Sequence, residues 1–339
     1  MYPFHPGIDF QLSAPSKFTG GPSDIERKLE GYQQRDSKDD TVLVLQSFFK
    51  FQPPDGQNLL VDDILACKND VELHDLASNL VEGLLYPLKA STRTPAVITP
   101  SPRLGAEDSI ENIASPITKS AIRAQPELRR QCLKRDGNRC CITKIYSVGL
   151  GHKDDARLEA AHIIPFALAR FSSKPERHRL LTIWANIYRC FPDVHSRLNF
   201  RVENINDTQN VMMLIAPLHA DFSSFNLALE PMEAPDTYKI KLFPNFSRAY
   251  RTFLPADGIV KFTNHGSTHP LPSPILLGLH YAVANILHAT GRGGAAEKLL
   301  REKEEICVLA ENGSSDVRGL LAISGLFRTT KDRKSEPRS

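Results

Sequence analysis

The segment LEAAHIIPF, residues 158 to 166, is an apolar, strand-like run with His162 in its middle and Pro165 near its end. An imidazole in such a run has two explanations: it is a hydrogen-bonded residue of the core, or it is a group placed to exchange a proton or hold a cation near neutral pH. A second segment, NVMMLIAPLHADF, opens with Asn210 and carries His219 nine positions later. Its spacing predicts a strand that ends near Ile215 and a helix that starts at Pro217, whose fixed φ suits a first helical position. His219 then falls in the first turn of that helix. The chain therefore offers one histidine on a strand and another on a helix, joined through a second strand that begins with an asparagine.

Other elements must position these residues. Ahead of the first histidine, PELRRQCLKRD reads as a helix stopped by Gly137, and RCCITK as a strand. Between the two motifs, RHRLLTIWANIYRCF reads as a helical insert that places Trp184 in the core. After them come a hairpin of FNLALEP with YKIKLF and two helices, Pro274 to Ala289 and Ala295 to Ala310. Near the amino terminus, DVELHDLASNLVEGLLYPL has helical periodicity, whereas DDTVLVLQSFFKF fits a helix or a buried strand. The organisation that follows is a disordered leader over 1–38, a helical region over 39–89, a Pro/Ser/Thr-rich linker over 90–118, a main domain with its carboxy-terminal helices over 119–310, and a basic, flexible tail over 311–339. The fold class is α+β.

The stretch from about Cys132 to Phe243, roughly a third of the chain, resembles the HNH endonuclease domain of the kind common in fungal proteins. The likeness rests on CLKRDGNRCCITK, the AHIIP box, and an asparagine followed by apolar residues and then a histidine. It implies a ββα-metal finger and an enzyme that hydrolyses phosphodiester bonds in DNA. Within it His162 matches the general base, His219 the helical metal ligand, and Asn210 the asparagine that orients the loop carrying the base. The implied cofactor is Mg²⁺ or Mn²⁺, with a histidine ligand leaning toward Mn²⁺. The sequence departs from the family where Ala161 takes a position often held by an aspartate or histidine ligand, and where Ser223 follows Phe222. Strand alternation sends Glu159 to the face opposite His162, so it is not counted as a replacement. Those departures keep a second reading open: a domain that retains the fold and binds nucleic acid or protein without cutting.

A formal net charge of +3 over 339 residues does not announce a polyanion partner. Its distribution says more. Arg123, Arg129, Arg130, Lys134, Arg135, Arg139 and Lys144 lie close together, and Arg130, Lys134, Arg135 and Arg139 are the expected contacts to DNA phosphates. The ordinary alternative for such a run is a solvated helix face. Six cysteines without a CxxC pair give no zinc signature and read as small buried hydrophobes. The sequence holds no P-loop, no GxSxG elbow and no apolar stretch long enough to cross a bilayer, so no small-molecule cofactor and no membrane are expected. MYPFHPGIDF lacks the features of a secretory signal, so the expected location is intracellular, in the nucleus or cytoplasm.

Overall fold

Leu158–His162 (β3) and Val211–Ile215 (β4) pair as an antiparallel ribbon with Leu158 opposite Ile215 and His162 opposite Val211. In the computed structural model residues 22–91, 116–170 and 174–305 are described. The leader before Pro22, the linker from 92 to 115, Cys307 and the basic tail lie outside them. All of β4 is buried, because Pro116–Arg135 (α6) and Ala216–Ser223 (α9) both pack against the ribbon. That burial explains why Val-Met-Met-Leu-Ile shows no polar alternation. The α9 helix begins as predicted: Ile215 is extended and Pro217 sits in the first turn.

Around this unit run the remaining elements. Tyr146–Ser147 (β1) and Asp155–Ala156 (β2) make a short parallel pair ahead of β3. Lys174–Cys190 (α7) and Asp193–Ser196 (α8) form the insert, and Trp184 is buried with its indole N–H donated to Leu168 O at 2.9 Å. Leu227–Pro231 (β5), Thr237–Leu242 (β6) and Ile259–Lys261 (β7) form an antiparallel sheet, which includes the predicted hairpin. Pro274–Ala289 (α10) lies along β5, and Arg292–Glu305 (α11) follows it after Gly291, which has a φ of 68°. No described helix is long and apolar enough to cross a membrane.

Two expectations change at the amino-terminal end. The leader contains a helix, Pro22–Glu30 (α1), and Ile25, Leu29 and Tyr32 are buried. Three apolar residues among so many charged and turn-forming ones leave too weak a period to read. Thr41–Phe51 (α2) is a helix, which decides between the two readings of DDTVLVLQSFFKF. Pro54–Ala66 (α3), Asp70–Leu80 (α4), a π-helical turn at Val81–Leu85 and Tyr86–Ser91 (α5) follow. These helices share one core with the rest of the chain. Close contact is needed there: a Cβ on Gly56 would sit 2.1 Å from Cys190 O, and Gly83 O accepts from Asn186 Nδ2 at 3.1 Å.

RCCITK is not a strand. Arg139 makes one isolated bridge to Tyr146, and Cys140 to Lys144 turn back on themselves, with Cys140 N donating to Ile145 O. Gly137, Asn138 and Lys144 all have positive φ, which an extended strand does not tolerate. Cys132, Cys140, Cys141 and Cys190 are buried, as expected of small hydrophobes, while Cys67 is half-buried.

Arg135 corrects the charge reading most sharply. It is fully buried and cannot reach a phosphate. Its Nε and Nη2 pair with the Asp136 carboxylate at 2.6 and 2.9 Å, and its remaining donors go to Thr208 O, Val211 O and Pro270 O. Burial works against the guanidinium charge, yet the Asp136 bonds outweigh it and hold the group above its ordinary pKa. A count of charges along a sequence cannot register this, because three of the acceptors are backbone carbonyls far away in the chain. Replacing Arg135 with Ala leaves a buried carboxylate and three carbonyls without their donor, so urea denaturation should report a loss of about 3–5 kcal/mol. A loss below about 1 kcal/mol would show that the pair is not a structural anchor.

Candidate active site

The site is built where β3 ends and α9 begins. His162 closes β3 and is half-buried. Its Nε2 lies 3.1 Å from Asn206 Oδ1, its ring tilts against Phe166 with centroids 5.7 Å apart, and its Nδ1 is buried with no hydrogen-bond partner. Burial lowers its pKa to about 4, against the opposing pull of the Asn206 bond; the charge of His219 pushes in the same direction as burial.

His219 stands in the first turn of α9, and its Nδ1 is 2.7 Å from Glu159 Oε2. Their side chains keep 16% and 23% of their exposure, so solvent and a ligand can reach both. This corrects the alternation argument for Glu159. A two-stranded ribbon twists strongly, and a glutamate stem is long enough to bring its carboxylate to a helix packed against the strand. The neighbouring departure has a physical reason too. Ala161 is fully buried, so a carboxylate there would enter the core without water. Asp207 and Asp221 do not join the pair: Asp207 caps Gln209 N at 3.0 Å, and Asp221 faces Asn226.

Asn210 is fully buried and spends its amide on the backbone. Nδ2 donates to Ile164 O and Ile205 O, each at 2.9 Å, and Oδ1 accepts from Ile164 N at 2.8 Å. The asparagine therefore ties the loop after His162 to the backbone at Ile205.

Glu159 and His219 provide one oxygen and one nitrogen donor. That set fits a divalent cation which takes its other ligands from water and a phosphate, and it suits Mg²⁺ or Mn²⁺. Among the described residues no group of three or more His, Cys, Asp or Glu side chains could enclose an ion. Any cation here would be an open, substrate-completed one.

Of the expected phosphate contacts, Lys134 is exposed, and Arg130 is exposed but forms a bidentate pair with Glu127. Arg139 stacks over the Tyr146 ring at 4.3 Å and donates to its hydroxyl. The side chain of Arg123 is outside the described residues. Sequence reasoning missed Glu159 and Asn206. The first was set aside by too flat a picture of the strand; the second carries no signal beyond lying four positions before Asn210.

Residues 140–230 match the model of the HNH endonuclease family, HNH_2. No curated protein and no solved structure matches the chain. The matched segment begins at the Cys140 turn and ends in β5, and so contains β3, β4 and α9 with His162, Asn210 and His219. Over these residues the chain is similar to an HNH endonuclease domain.

Proposed function

We propose that the protein is a metal-dependent endonuclease that cuts DNA, with His162 as the general base. The observations that support this reading are the partnerless His162 Nδ1 at the end of β3 and the Glu159–His219 pair that links β3 to the helix packed on it. Water attacks a phosphodiester poorly at neutral pH, and a nearby imidazole lone pair removes its proton as the bond to phosphorus forms. A divalent cation, when bound, supplies charge to the phosphate and the departing oxygen. Glu159 and His219 would hold it. Lys134 is exposed and offers positive charge to the backbone. The second reading, binding without cutting, draws on Ala161 and Ser223, where the family often has further polar residues.

Nicking of supercoiled plasmid with Mn²⁺ or Mg²⁺, against a chelator control, tests the proposal. His162→Ala should lower the rate about 10²- to 10⁴-fold, the usual weight of a general base, and leave a gel shift of the same DNA nearly unchanged. Glu159→Gln and His219→Ala should raise the metal concentration needed. Intact plasmid beside a clear gel shift would instead support the binding module.

The pH profile gives a second check. His162 accepts a proton only when neutral, and a pKa lowered to about 4 keeps it neutral from pH 8 down to about 5. The rate should therefore hold through pH 6.5, where an ordinary histidine would lose half its activity, and fall as the pH drops through about 4. Circular dichroism over the same range separates that fall from unfolding. An acid limb near 6.5 would contradict the assignment.

A further inference from the structure

A neutral imidazole carries one hydrogen, and which nitrogen holds it decides which can act as a base. At His162 the two nitrogens have unlike surroundings: Nε2 faces Asn206 Oδ1 at 3.1 Å, whereas Nδ1 has no hydrogen-bond partner. We infer that Asn206 is a positioning residue for His162, accepting the Nε2 hydrogen and so leaving the lone pair on Nδ1 for the attacking water. The opposite tautomer would set a lone pair on Nε2 against the amide oxygen of Asn206. This inference rests on the proposed nuclease reading for its catalytic consequence, but not for the tautomer itself.

The loop that carries Asn206 is built for this. Ile205 is buried, its carbonyl is held by Asn210 Nδ2, and Asp207 N donates to Asn204 O at 2.7 Å. Asn206 is thus fixed on both sides. The same Asn210 amide grips Ile164, two residues beyond His162. One buried side chain therefore sets the distance between the imidazole and the amide that polarises it, much as an outer partner fixes the ring of a ligating histidine. In the reaction the water proton moves to Nδ1, giving an imidazolium whose Nε2 hydrogen stays on Asn206. The water oxygen bonds to phosphorus, the leaving oxygen takes the electron pair of the broken P–O bond, and Nδ1 then returns its proton to solvent.

The test uses the full-length protein and two readouts. Nitrogen-15 NMR of the imidazoles, with His162→Ala to identify the resonance, should show His162 as the Nε2–H form. Asn206→Leu should abolish that preference, and Asn206→Asp, which keeps an acceptor, should preserve it. In the nicking assay Asn206→Leu should lower kcat about 10- to 100-fold with KM nearly unchanged, in the range known for removing an outer partner of a functional imidazole. A purely structural loss would move both constants and the melting curve together. An Nδ1–H form in the parent protein, or a tautomer unaltered in Asn206→Leu, overturns the inference. Absence of nicking by the parent, beside an Asn206-dependent tautomer, sinks the nuclease reading and upholds the positioning role.

Discussion

The ion pair of Arg135 and Asp136 is the contact on which the site's geometry depends. Taking two charges out of water is costly, and their attraction offsets that cost only when every remaining hydrogen-bonding position is filled. Here the condition is met. All five guanidinium N–H groups are used, two on the carboxylate and three on the carbonyls of Thr208, Val211 and Pro270. Asp136 Oδ2 further accepts from Met213 N and from the Cys141 thiol. The pair thus joins the end of α6, the Cys140–Lys144 turn and β4, and it holds the backbone at Thr208 and Val211, on either side of Asn210.

From there the constraint passes inward through a second buried polar group. An asparagine amide without partners would be costly at zero exposure, so Asn210 must meet the carbonyls of Ile164 and Ile205 and the N–H of Ile164. Satisfying that amide fixes two loops at once, and the loops carry His162 and Asn206. Polar networks of this kind tolerate little error, since a shift of the backbone at Thr208 or Val211 would unmake bonds further along. The placement of His162 is therefore decided by buried groups around Asn210.

Much of this was legible in the sequence and some of it was not, for reasons that differ by residue. The order of strand, strand and helix could be read because β4 is an uninterrupted apolar run and Pro217 marks a helix start. Arg135 could not be separated from its exposed neighbours Arg130 and Lys134, since burial of an arginine is decided by acceptors more than seventy positions away. Glu159 was set aside on strand alternation, which does not register that its carboxylate reaches His219 on the helix packed against β3. The turn at Cys140–Lys144 looked like a strand because its residues are apolar, while the positive φ of Asn138 and Lys144 leaves no compositional mark.

The amino-terminal helices, which carry no interpretable motif, acquire a role from what they touch. Helix α9 holds His219 but has only eight residues, too few to be stable alone. The carbonyls at its end need donors, and side chains from elsewhere supply them. His280 on α10 lies stacked between Phe222 and Phe225 and has its Nε2 3.0 Å from Phe222 O. His288 on the same helix reaches Phe225 O at 2.9 Å, and Lys89 on α5 donates to Ser224 O at 2.5 Å while pairing with Glu297. Burial lowers the His280 pKa to about 3, so that ring is a neutral donor, whereas the Lys89 ammonium places positive charge at the negative end of the helix. Because α5 supplies Lys89 and α2 packs on α10, the helices that precede the HNH segment brace the helix that holds His219. The part of the chain that matches the family therefore depends for its shape on a part that does not.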